Sequence, residues 1–125
     1  MRGLAALLSV VAILTVAAVA FAANPKKGGT YSGTKAGVIE KRITLTVAKN
    51  GKSGTANLYC SGQHVSVMKK VAISKGKFSG RKTTGSVLVW KIKGSFTSAT
   101  EAKAKANLKA ICDGGNVSVT MTLQG

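Results

Sequence analysis

Acidic side chains are nearly absent from this sequence: Glu40, Glu101 and Asp113 are its only three, against 19 lysines and arginines. They lie far apart in the chain, and Glu40 and Glu101 fall close to lysines, so local ion pairing is their expected use rather than paired-carboxylate acid–base work. Histidine is scarcer still. His64 is the only one, on the polar parity of its segment beside a turn, where an ordinary surface role outweighs service as a base to Cys60 or a serine. One histidine, three acids and two cysteines do not assemble a four-ligand metal site. No glycine-rich loop opens a helix to cradle a phosphate. The chain is therefore read as a non-enzyme without cofactor or metal.

Aromatic residues are also few. Apart from Phe21 there are five, Tyr31, Tyr59, Phe78, Trp90 and Phe96, to fill one modest core. Cysteine is limited to Cys60 and Cys112. An even count in an exported chain reads first as a disulfide, and both cysteines sit on the inward parity of their segments, so they are expected to pair.

Export is indicated by the first residues. Behind a single basic residue, Arg2, positions 4–23 form an uncharged run rich in Leu, Val, Ile and Ala that ends in small residues at Ala20 and Ala22 around Phe21. That is the layout of a secretory signal peptide over residues 1–22, with cleavage after Ala22. An uncleaved anchor is the alternative, since about 20 apolar residues can span a bilayer. Cleavage leaves a short linker, 23–28, and a single domain, 29–125, secreted or retained at the cell envelope. Its 18 basic residues against three acidic ones give a charge near +15.

From Thr30 onward the dominant apolar period is two, the mark of half-buried strands. Ile43, Leu45 and Val47 alternate with threonines and alanine, and Asn50-Gly51 follows as a tight-turn signal. Ala56, Leu58 and Cys60 share the next inward face. Val65 and Val67 are expected inward after Ser61-Gly62, with Val71 and Ile73 continuing the same odd numbering past Lys69-Lys70. Positions 81–85 hold no apolar residue and read as a polar connection. Leu88, Trp90, Ile92 and Phe96 share one face, and Val117, Val119, Met121 and Leu123 form the cleanest alternation in the chain.

Positions 99–112 pose a conflict, because Ala, Glu, Lys and Leu all favour helix. Ala102, Ala104, Ala106, Leu108, Ala110 and Cys112 nevertheless hold a period of two, and the pattern over a whole segment outweighs weak propensity. A reversal between Thr97 and Thr100 sets small alanines across from Trp90 and Ile92. The predicted fold is all-β, an antiparallel sandwich or a closed barrel of seven or eight short strands.

The opening 24–33, with its Gly29-Thr30-Tyr31-Ser32-Gly33, the strand ending in Asn50-Gly51, the internal Gly76-Lys77-Phe78-Ser79-Gly80 and the two well-spaced cysteines resemble small secreted β-domain proteins common in actinobacteria. The resemblance covers most of residues 28–125 and implies a compact exported β-domain. It carries over no catalytic or binding residue.

Charge is the feature that stands out. A domain this basic draws polyanions such as nucleic acid, teichoic acid or anionic headgroups. Lys91 and Lys93, with Lys103 and Lys105 on the neighbouring strand, are expected to form an outward ridge that binds an anionic polymer. Trp90 and Phe96 lie on the apolar parity, which argues against a stacking platform for single-stranded nucleic acid. The alternative function is a small-ligand carrier that uses a barrel interior.

Overall fold

Strict alternation leaves each segment with one apolar face, and a sheet can bury that face by closing on itself. The computed structural model, which describes residues 22–125, does this. Its strands are β1 (Thr30–Lys35), β2 (Lys41–Val47), β3 (Ser53–Cys60), β4 (Gln63–Ser74), β5 (Lys77–Thr84), β6 (Val87–Ser98), β7 (Glu101–Leu108) and β8 (Gly115–Leu123). They run up and down in sequence order as a closed antiparallel barrel, with β1 pairing β8. The signal-peptide reading of residues 1–22 lies, except for Ala22, outside the described residues.

The interior is filled by side chains. Tyr31, Trp90 and Phe96 are fully buried, as are Ile43, Leu45, Leu58, Val71 and Met121 or nearly so. Tyr31, Phe96 and Phe78 form a chain of aromatic contacts with centroids 5.1 and 5.2 Å apart. The polar handles of the two large amphipathic rings are satisfied, as burial requires. Trp90 Nε1 donates to Ser66 Oγ at 3.0 Å, and Tyr31 Oη donates to the Ala99 carbonyl while accepting from the Lys26 amide. Small residues stand across from large ones between β6 and β7: Ala106 faces Ile92, Ala102 faces Phe96, and Ala104 faces Gly94, over which the Phe78 ring packs. Trp90 itself faces Leu108.

The described N-terminal residues cross one end of the barrel, beside the turns at 48–52, 75–76 and 99–100. Ala23 donates its amide to the Phe96 carbonyl and Gly28 donates to Val47, at 2.9 and 3.0 Å. At the opposite end, Cys60 on the last position of β3 bonds Cys112 in the β7–β8 loop, with a Cα separation of 6.4 Å. The β1–β8 ladder is registered only at Tyr31↔Leu123 and Ser32↔Thr122, near the first end. The disulfide thus ties together the end at which that seam is unregistered.

Several local expectations change. The alternation over 102–112 stops at Leu108: Ala110 is exposed, and Cys112 lies in a loop with φ of 53°, followed by Asp113 at 62°. The cysteines pair, but through a left-handed loop rather than two facing strands. Asn50-Gly51 belongs to a five-residue connection in which Gly51 donates to Ala48, and only Gly51 (φ 73°) is left-handed. The paired positive φ of a type I′ hairpin occur instead at Ser61-Gly62 and Lys75-Gly76. Arg81 to Thr84, read as a connection, completes β5.

The largest change is in β4. The β3–β4 ladder slips between Gly54 and Ala56 and again between Leu58 and Tyr59. Lys69 and Lys70 together oppose Thr55, both exposed, and before that bulge the inward residues are Ser66 and Met68. Val65 and Val67 point outward, Val65 with 40% of its surface exposed. A polar residue goes in and two valines go out because Trp90 needs an acceptor there.

Candidate anion-binding face

Register decides which outward side chains stand together. Across β5, β6, β7 and β8, three rows of outward residues run at right angles to the strands. The first is Lys77, Ser95, Lys103 and Thr120; the second is Ser79, Lys93, Lys105 and Ser118; the third is Arg81, Lys91, Asn107 and Asn116. Between them lie two rows whose side chains turn into the core, so only backbone floors the space above. One such row is Phe78, Gly94, Ala104 and Val119, and the other is Gly80, Ile92, Ala106 and Val117.

The result is two open grooves that share the Ser79–Ser118 row as a common wall. Successive walls are two residues apart along each strand, about 6.7 Å, and neighbouring strands are about 4.8 Å apart. Lys70 from the β4 bulge extends the second groove. Seven cations line the pair: Lys70, Lys77, Arg81, Lys91, Lys93, Lys103 and Lys105, all exposed. No acidic residue lines either one.

The four lysines expected as a ridge are brought together on this face. Lys93 faces Lys105 directly, whereas Lys91 faces Asn107 and Lys103 faces Ser95. Lys70, Lys77, Arg81, Asn107 and Asn116 escaped sequence reasoning. Lys77 and Arg81 share a parity with Ser79 and become visible once β5 is continued past Gly80.

Cations are sparser on the faces of β1, β2 and β3. Outward positions there carry Thr30, Ser32, Thr34, Thr46, Thr55 and Asn57, with Arg42 4.0 Å over the Tyr59 ring and Lys35 and Lys41 at the strand ends. His64 is placed on this other side, exposed, 2.8 Å from Asn57 Oδ1 and beside Tyr59, and Cys60 is held in the disulfide with Cys112. Glu101 accepts from Thr97 Oγ1 at 3.1 Å, and Glu40 and Asp113 sit in loops at the disulfide end. Among the described residues, no group of three His, Cys, Asp or Glu is placed to hold a metal, and no helix is long and apolar enough to cross a membrane. The chain matches no protein-family model and no curated protein.

Proposed function

We propose that this protein is a non-enzymatic, exported binding protein whose basic half-barrel holds an anionic polymer at the cell envelope or outside the cell. The observation that carries the reading is the concentration of seven cations on two adjoining grooves with no acid among their linings. Solubility alone asks for charge that is spread and mixed in sign. Like charges directly opposite across strands are destabilising, as at Lys93 and Lys105. Seven of them set side by side with no acid between, against sparser cations among the hydroxyl groups of β1 to β3, favour use of that face. The disulfide agrees with an oxidising compartment. The carrier alternative would use the barrel interior, where Trp90, Tyr31, Phe96 and their neighbours lie buried.

Six of the seven cations are lysines, which act as hydrated point charges rather than directional forks. Affinity should therefore fall steeply with salt. Replacing Lys91, Lys93, Lys103 and Lys105 by glutamine should lower retention on a polyanion column and flatten the salt dependence. A control that changes Lys26, Lys27, Lys49 and Lys52 removes the same charge from the N-terminal segment and the β2–β3 turn. Equal losses in the two variants would mean that net charge alone acts and that the grooves bind nothing in particular.

A further inference from the structure

The grooves contain more than cations, and the other groups bear on what kind of polymer they take. Among the described residues every aromatic ring is accounted for elsewhere. Tyr31, Phe78, Trp90 and Phe96 are buried in the barrel, and Tyr59 lies under Arg42 on the far side. Phe78 borders the first groove only from below, with 3% of its surface exposed. Proteins that hold single-stranded nucleic acid stack its bases on aromatic side chains set in a basic groove. Here the basic groove and the available rings are on different faces.

What accompanies the lysines is neutral hydrogen-bonding chemistry. The first groove is lined by Ser74, Ser79, Ser95, Ser118 and Thr120. The second ends in Asn107 and Asn116, direct partners across β7 and β8 in line with Arg81 and Lys91. Each carboxamide offers two donors and an acceptor, and each hydroxyl offers one donor and accepts. Such groups match hydroxyls of a sugar or polyol, which both donate and accept. A chain of bare phosphates, which only accepts, uses their donors but leaves their acceptor oxygens without a partner, whereas a hydroxylated chain engages both. The wall spacing of about 6.7 Å admits one thread between rows of side chains.

We infer that the ligand is a hydroxyl-bearing anionic polymer, an acidic polysaccharide or a polyol phosphate, laid as a single thread across β5 to β8. Lysines hold its anionic groups, and Asn107 and Asn116 read the hydroxyls beside them. This rests on the proposed polyanion-binding function and narrows it to one class of chain.

The test compares four probes of matched length at one ionic strength: poly(glycerol phosphate), polygalacturonate, inorganic polyphosphate and oligo(dT). Mature wild-type protein should bind at least one of the first two about tenfold or more tighter than polyphosphate or oligo(dT), and the tighter of the two identifies phosphate or carboxylate as the anion. The variant Asn107→Ala with Asn116→Ala should lose about three- to tenfold for each hydrogen bond removed toward that probe, with a smaller loss toward polyphosphate, which engages only the carboxamide donors. A second variant, Asn107→Ser with Asn116→Ser, keeps polar groups on the face, and equal urea midpoints for all three proteins exclude a folding effect. Polyphosphate or oligo(dT) binding as tightly as the hydroxylated chains, or asparagine variants that lose all probes equally, would overturn the inference while leaving polyanion binding intact. Failure to bind any of the four would instead overturn the proposed function and this inference with it.

Discussion

Breaking the Cys60–Cys112 bond is the perturbation whose size follows most directly from the topology. The bond joins residues 52 apart in sequence. In the chain-entropy model, a loop of that length removes about 14 cal/mol/K from the unfolded ensemble, or about 4 kcal/mol at 25 °C. A domain of this size is stable by roughly 5–15 kcal/mol, so the loss takes a large share of the total without unfolding every molecule. At about 4–8 °C per kcal/mol, the thermal midpoint should fall by roughly 15–30 °C. The closing ladder adds a kinetic consequence. Ser32 and Thr122 must meet across 90 residues of chain, and the bond shortens that path to about 40. By the logarithmic loop-closure law this is worth about 0.7 kcal/mol, or roughly threefold in folding rate if the seam forms in the transition state.

The assay is urea unfolding and refolding of oxidised protein against the Cys60→Ser, Cys112→Ser variant. Fluorescence of Trp90, fully buried and the only tryptophan, reports the transition. A stability loss below about 1 kcal/mol with an unchanged denaturant slope would refute the loop-entropy reasoning. It would mean that contacts at the disulfide end hold β3 and the β7–β8 loop together unaided.

Gly94→Ala should destabilise the barrel by about 1–3 kcal/mol through overpacking, because a Cβ there meets the Lys103 carbonyl and the Phe78 ring. Adding Phe78→Leu to that variant should restore part of the loss in urea melts, and strictly additive effects would show that the ring is not what Gly94 accommodates. N-terminal sequencing of secreted protein should begin at Ala23, whose nitrogen already donates to the Phe96 carbonyl. A chain starting at Asn24 should then be less stable by about 1 kcal/mol, and intact Met1 on membrane-bound protein would contradict the cleavage.

The parts of the fold legible in the sequence are those in which one ladder is regular from end to end. β7 and β8 pair without a slip from Glu101↔Thr122 to Leu108↔Gly115, so the alternation of each strand survives intact, and period two correctly overrode the helix propensity of Glu101 to Leu108. The outward placement of Lys91, Lys93, Lys103 and Lys105 was legible for the same reason, since parity alone puts them outside. The choice between sandwich and barrel was not legible, because both bury one face of every strand and differ only in whether β1 meets β8. Cys112 was placed in a strand because a left-handed loop leaves no periodic trace. β5 was cut short because its second half, Arg81 to Thr84, has no apolar residue to mark an inward face.

The bulge in β4 is where illegibility and the proposed function coincide. Period-two reasoning assumes that successive side chains take opposite faces, and at Lys69 and Lys70 two successive residues oppose one and both are exposed. A regular strand would have sent one of them toward the core, where an unpaired ammonium is costly. With the bulge, Val71 and Ile73 reach the core beyond it, Ser66 and Met68 reach it before, and Lys70 is freed to extend the second groove beside Arg81 and Lys91. The irregularity that broke the sequence pattern thus adds a cation to the proposed anion-binding face, which is how bulges re-aim side chains in other sheets. A local rule broken at the edge of a candidate site, with core packing preserved on either side, is the pattern expected where a fold departs from regularity for the sake of binding.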